Sequence, residues 1–366
     1  MWLWVVLLML LLSAMLWRHG LPFKNAYVTG HAQAQWAGTR VPSQLYSLSV
    51  GGIFKLLLCL GTQGYLATQS TKQSAELRAL NFLLFTFRYF QSADLTRIRI
   101  PLLGVITPLQ SEFIFELERF QGLDIFVLDP AVMTRAGAAA ESVILYVHGG
   151  GFVSGDFGGF RAMVYEMAQR TRLPLVFPHY RLTPEHDIVD QVADVMTALR
   201  YSAQRYKLPF LSVIIVGDSA GGALVLLALQ RLTAEHMPQR AILISPVTDL
   251  SCSGDSFFAN RHTCIFRPEI VRICMDLART RFFGQDPAVS PLYGNFTGLP
   301  PLFFIASSSE IFADDTRRAV IKAKAAGVAV TLQMHQHVPH AFPTFYFAAP
   351  ECAAGLEQVI SWILQK

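Results

Sequence analysis

The chain has 366 residues, of which 52 % are hydrophobic and 15 % charged, and its formal net charge is +4. That composition is too apolar for a disordered chain and points to a large buried core, a membrane segment, or both, in one large domain or two modest ones. The 30 lysines and arginines are scattered singly, with no run that could track phosphates, which argues against nucleic acid as a partner.

Residues 1–17 (MWLWVVLLMLLLSAMLW) carry no charged side chain and end at Arg18 and His19. As a helix they would reach about 25 Å, enough for a thin bilayer. No basic residue precedes the run and no A-x-A-like cleavage site follows it, so an uncleaved N-terminal anchor is expected rather than a signal peptide. Basic residues flank only its C-terminal side, which by charge alone favours a cytosolic domain. Between about 45 and 110, Leu- and Phe-rich stretches such as IFKLLLCL and LNFLLFTFRYF alternate with polar breaks. Each is shorter than the ~20 residues a span needs, so they read as core helices, a lid, or membrane-apposed helices.

Beyond residue 110, short apolar runs recur: FIFELERF, LDIFVLDP, SVILYVHG, PLVFPHY, LSVIIVGDS, AILISP, PLFFIASSS and VAVTLQMH. Continuous Val, Ile, Leu and Phe without alternation marks strands buried on both faces. Helix-like stretches between most of them imply βαβ units and a mainly parallel sheet, while the first two runs lie close enough for a hairpin. The expectation is a mixed sheet of about eight strands covered by helices.

Gly217-Asp-Ser219-Ala220-Gly221 sits between a strand-like run and the helix-like GALVLLALQRL. A G-x-S-x-G pattern is weak alone, but a sharp strand-to-helix turn is the context that exposes a nucleophilic hydroxyl. His148-Gly149-Gly150-Gly151-Phe152 follows the strand-like SVILYV. Such a loop brings backbone amides close to a ligand and suits an oxyanion; the expected donors are Gly150, Gly151 and Ala220. It lacks the GK[ST] of a P-loop and the spacing of a dinucleotide site. His148 itself reads as a support for the loop.

A serine needs a base. In the chain order Ser, acid, His, the candidates are His335, His337 and His340 in MHQHVPHAFPTF. His335 and His337 read as the strand's end, and His340, in the loop after Pro339, is preferred. Glu310, at the C-terminal edge of the preceding strand, is the expected acid. Asp314 is the fallback, since Asp314 and Asp315 also suit a helix N-terminus. The five cysteines form no CxxC pair, so no zinc or redox motif is read. Free thiols are expected, with one bridge among Cys252, Cys264 and Cys274 as the alternative.

These residues resemble the hormone-sensitive-lipase group of α/β-hydrolases, and within it the membrane-anchored arylacetamide deacetylase and neutral cholesterol ester hydrolase branch. Besides HGGGF and GDSAGG, the matching stretches are Tyr180–His186 (YRLTPEH), Ser245-Pro246 with Asp249, and Asp286–Pro291 (DPAVSP), together spanning about 140–342. The resemblance implies an α/β-hydrolase fold with a mostly parallel eight-stranded sheet and a helical cap. It divides the chain into an anchor (1–17), a cap or membrane-apposed segment (18–110) and a catalytic domain (111–366). It implies a carboxylesterase or lipase with broad acyl-ester substrates and no cofactor, acting through Ser219, His340 and Glu310, and the apolar N-terminal stretches point to lipophilic esters among them. Amide hydrolysis, or a catalytically silent binding protein on the same fold, are the alternatives. Glu310 stands where many members carry Asp. The branch places the catalytic domain in the endoplasmic-reticulum lumen, against the charge flank, and Asn295-Phe-Thr297 is a glycosylation sequon that a luminal domain could use.

Overall fold

A computed structural model describes residues 73–74, 76–77, 115–129 and 140–365. The expected anchor (1–17), nearly all of the expected cap (18–110) and Cys59 lie outside these residues. The chain divides into two units, 1–42 and 43–366, and every described residue belongs to the second. No helix among the described residues is long and apolar enough to cross a membrane.

The eight apolar runs become eight strands: β1 (Glu116–Phe120), β2 (Leu123–Leu128), β3 (Val143–Val147), β4 (Leu175–Pro178), β5 (Val213–Asp218), β6 (Arg240–Ile244), β7 (Leu302–Ser307) and β8 (Val330–His335). They form one sheet in the order β1-β2-β4-β3-β5-β6-β7-β8. β1 and β2 make the expected hairpin, paired from Glu116↔Val127 to Phe120↔Leu123. Its two turn residues, Gln121 and Gly122, have φ of 49° and 87°, the left-handed pair that matches the twist of a two-residue hairpin. β2 runs antiparallel to β4, and the pairings from β4 through β8 are parallel.

Burial follows position in the sheet. Every residue of the interior strands β3, β4, β5 and β7 is buried, whereas the edge strands β1 and β8 are largely exposed or half-buried. Alternate residues of the strands feed two cores. On one face, Val143, Leu145, Ile215 and Leu243 pack with α2 (Ile188–Tyr206), α3 (Ala220–Leu229), α5 (Pro268–Arg279) and α6 (Ala313–Ala325), helices numbered in chain order. On the other, Ile144, Tyr146, Val216 and Ile305 pack with α1 (Phe157–Thr171) and α7 (Pro350–Ile363). A short α4 (Ser256–Ala259) lies between β6 and α5.

All ten residues of α3 are buried. A helix apolar on every side is viable only inside a core, where each Leu or Val contributes roughly 1.5–3 kcal/mol. The sequence AGGALVLLAL therefore fixes α3 at the centre, behind the residue that precedes it. α1 and α2 start where Asp156 and Asp187 accept amide hydrogens of their first turns, each cap supplying an orphan donor with a partner. Of the segment 18–110, Ser74 donates through its amide and hydroxyl to the two Glu351 oxygens (2.7 and 2.6 Å), and Leu77 is buried in the core lined by α7.

One expectation needs correction. His335 closes β8, but His337 lies outside the strand, in a bend at φ 63°. The parallel ladder ends at Ser307↔His335, where the Ser308 amide takes the His335 carbonyl and β7 itself stops.

Candidate active site

Ser219 is the hinge between β5 and α3. Its backbone, at φ 52° and ψ −121°, occupies a region costing of order 1–3 kcal/mol for a residue with a Cβ. Three main-chain bonds hold it there. The Ser219 amide donates to Ile244 O at the end of β6 (2.8 Å), and its carbonyl accepts from Val247 N (3.1 Å) and Ala223 N (3.3 Å). The neighbouring strand and the first turn of α3 thus fix the turn from both sides.

The glycine loop leaves β3, the strand next to β5, and passes against this hinge. A Cβ on Gly149 would lie 2.3 Å from Asp218 Oδ2 and 2.9 Å from Ser219 Cβ, so no larger residue fits. Gly150 has φ 127°, which residues with a side chain rarely adopt. Its carbonyl accepts from the Ser154 amide (3.1 Å) and hydroxyl (2.8 Å), closing the loop on itself. A Cβ on Gly151 would meet Cys274 Sγ of α5 at 3.5 Å. Burial pushes the Cys274 thiol up to about 11 and the Cys252 thiol up to about 12. Cys252 and Cys274 are both free, which leaves no bridge among the three cysteines from 252 to 274.

His148 is fully buried, stacked against Tyr180 (4.2 Å) and Phe177 (5.3 Å). Its Nδ1 lies 2.7 Å from Gly149 O and can only donate there, while the Tyr180 hydroxyl donates to His148 O (2.7 Å). Burial drives its imidazole down to about 3, so it is neutral and supports the loop.

Asp218 was not singled out by sequence, yet it ties the two motifs together. One carboxylate oxygen accepts from both Tyr146 Oη (2.9 Å) and Gly149 N (2.8 Å). Burial raises its pKa from 3.8 to about 6, opposed chiefly by those two donors. The same burial, with Asp218 beside it, raises Tyr146 well above the usual phenol value. The available signal was its place inside GDSAGG, directly before Ser219.

His340 and Glu310 meet in the interior. Nδ1 and Oε2 are 2.5 Å apart, with side-chain exposures of 3 % and 0 %. Phe266 and Phe312 flank the imidazole at 5.2 and 5.3 Å between ring centres, excluding water from the pair. His340 Nε2 is buried and has no hydrogen-bond partner among the described residues. The Glu310 turn is held by Asn260, whose amide donates to Ser308 O (2.9 Å) and Glu310 O (2.8 Å); nothing in its sequence setting marks this residue.

The other histidines and the fallback acid are engaged elsewhere. His335 Nε2 lies 3.1 Å from Gln358 Oε1. The Asp314 carboxylate accepts from the Ser256 amide and from Arg317 (both 2.8 Å), and these donors and Arg318 hold it below the usual value against the desolvation of its site. Asp315 is buried beneath the Thr248 and Asp249 amides, with its pKa raised to about 7 by burial and by Asp249.

Among the described residues no cluster of His, Cys, Asp or Glu could hold a metal ion. A cavity of about 520 Å³ opens between α5 and the Leu250–Cys252 turn, but neither Ser219, Glu310 nor His340 lines it. The described residues therefore present a hydroxyl on a strained turn with a glycine loop packed against it, and, at the ends of β7 and β8, a buried His–Glu pair. Together they are equipped for nucleophilic acyl transfer.

A family model described as the alpha/beta hydrolase fold matches residues 144–344. An esterase of Acinetobacter venetianus is 32 % identical over 232 residues, covering 62 % of this chain and 75 % of that protein. An acetyl-hydrolase of Streptomyces hygroscopicus is 32 % identical over 222 residues, covering 58 % and 72 %. Among solved structures, an esterase from the bacterial hormone-sensitive lipase family superposes with TM-score 0.73 at 28 % identity, covering 80 % of this chain and 98 % of the other.

Proposed function

Because the chain belongs to the alpha/beta hydrolase fold family, we propose that it is a serine carboxylesterase in which Ser219, His340 and Glu310 form the triad. The observation that carries this reading is the buried 2.5 Å Glu310–His340 pair, which leaves Nε2 without a partner among the described residues, in the domain that holds Ser219 on its strained turn. His340 Nε2 takes the Ser219 proton as Oγ attacks the ester carbonyl, and Glu310 holds the imidazolium. The amides of Gly150, Gly151 and Ala220 receive the oxyanion, where preorganised donors are worth several kcal/mol. His340 returns the proton to the leaving alcohol, and water repeats the sequence on the acyl-enzyme. The esterase name of the Acinetobacter venetianus relative supports ester chemistry, while the acetyl-hydrolase name fits an acetyl ester or an acetyl amide.

The substrate proposed is a lipophilic ester, such as a steryl, acylglycerol or aryl ester, reached from a membrane. Residues 1–17 are proposed as a single anchor and the catalytic domain as luminal, as in the arylacetamide deacetylase and neutral cholesterol ester hydrolase branch. Asn295 is exposed on an Asx turn, its side chain accepting from Thr297 N (2.9 Å). In a luminal domain it would carry a glycan, removed by an endoglycosidase from wild type and absent from Asn295→Gln. Loss of the protein from membranes on alkaline carbonate washing would rule out the anchor. The activity is tested by hydrolysis of short, long and steryl esters by the full chain. Turnover abolished by Ser219→Ala is expected; no turnover of any ester by folded wild type would favour a silent binding protein.

A further inference from the structure

Two serines outside the proposed triad, Ser307 and Ser245, touch the backbone on either side of His340. Both are fully buried. Ser307 is the last residue of β7, and its hydroxyl donates to Val338 O (2.6 Å) while accepting from Ser309 N (3.1 Å). Its own amide donates to Glu310 Oε1 (3.3 Å), the carboxylate oxygen not used by His340. Ser245 follows β6; its amide donates to Ile305 O of β7 (2.8 Å), and its hydroxyl accepts from Ala341 N (3.0 Å). Ala341 stands at φ 51°, a left-handed conformation that costs a residue with a Cβ and needs holding.

The loop that carries His340 leaves β8, beyond which no further strand pairs among the described residues. Its register is set from the inner side instead. Ser308 N takes His335 O (2.7 Å), Ser309 Oγ takes His337 N (3.0 Å), and Ser307 and Ser245 then hold residues 338 and 341. Ser307 reaches both partners of the pair, contacting the acid directly and the base through the carbonyl two residues before it.

We propose that Ser307 and Ser245 are positioning residues that clamp the His340 loop to the ends of β7 and β6 and so set the Glu310–His340 geometry. The proposal rests on His340 being the base of the proposed function. It also predicts how a defect would look. A misplaced imidazole fails most where its proton is most needed, at the departure of an alkoxide; a p-nitrophenolate leaves without that proton. A serine that merely stabilises the fold would lower both reactions alike.

Ser307→Ala and Ser245→Ala are made separately in the full chain, and active sites are counted by fluorophosphonate labelling. For a p-nitrophenyl ester and the matching ethyl ester, KM should stay within about twofold while kcat/KM per site falls by about tenfold and about a hundredfold respectively, the scale expected for a misplaced catalytic group. Equal losses on the two esters, or no loss on either, would overturn the proposal. The two variants perturb different strands, so one that fails to fold leaves the other to decide. Wild type that neither labels nor turns over ester would instead refute the proposed function.

Discussion

Glu310→Gln preserves the length and volume of the acid but exchanges the oxygen facing His340 Nδ1 for an amide that can turn an N–H towards it. The partner accepts no such change, because the pair is 2.5 Å apart with side-chain exposures of 3 % and 0 % and no water can intervene. Gln can present its oxygen to only one of two donors, His340 Nδ1–H or the Ser307 amide that now reaches Oε1 at 3.3 Å. With the amide turned to Nδ1, the imidazole must carry its proton on Nε2 and has no lone pair for Ser219. With the oxygen turned to Nδ1, the negative charge that stabilises the imidazolium is still lost. A wrong tautomer in a Ser–His–acid arrangement costs about 10⁴ in kcat, or roughly 5 kcal/mol of transition-state stabilisation. The assay is kcat on a p-nitrophenyl ester, with folding checked by circular dichroism. A fall of less than tenfold in folded protein would refute the assignment. Asp314→Asn is the control: Asp314 serves the Ser256 amide and Arg317, so turnover should stay within about twofold while stability drops by about 1 kcal/mol.

Gly149→Ala should remove activity by at least about a hundredfold and lower Tm, since the new methyl would overlap Asp218 Oδ2 at 2.3 Å and press on Ser219 at 2.9 Å; wild-type kcat would show that the two motifs are not in contact. Asp218 has its pKa raised from 3.8 to about 6 by burial. A raised carboxylate contributes stability below 3.8 that is lost as pH rises through about 6, so its ionised form is a cost at neutral pH of order 3 kcal/mol. Asp218→Asn should therefore gain stability relative to wild type between pH 4 and pH 7, read from urea midpoints; a pH-independent difference would contradict this.

The strands were legible because burial on both faces leaves no alternation to misread, and all eight runs from FIFELERF to VAVTLQMH became strands. The places of Ser219, the glycine loop and Glu310 in the fold were legible because each follows a strand within a few residues, where local pattern and position coincide; their roles remain proposals. His337 was misplaced because strand ends depend on the partner strand stopping, which a single run does not record. The Asp218–Gly149 bond joins residues 69 apart, and the Ser307–Val338 bond residues 31 apart. Those pairings follow from β3 lying beside β5 and β7 beside β8, a fact of topology rather than of composition. Asn260 was invisible for the same reason, since an Asn in a helix-to-loop turn has many ordinary uses.

The proposed chemistry stands or falls on Ser219 being an activated nucleophile. A fluorophosphonate probe applied to the folded full chain, followed by peptide mapping, tests it most directly. One adduct is expected, on Ser219, absent from Ser219→Ala and strongly slowed by His340→Ala. No adduct on folded wild type, or an adduct on a different residue, would contradict it.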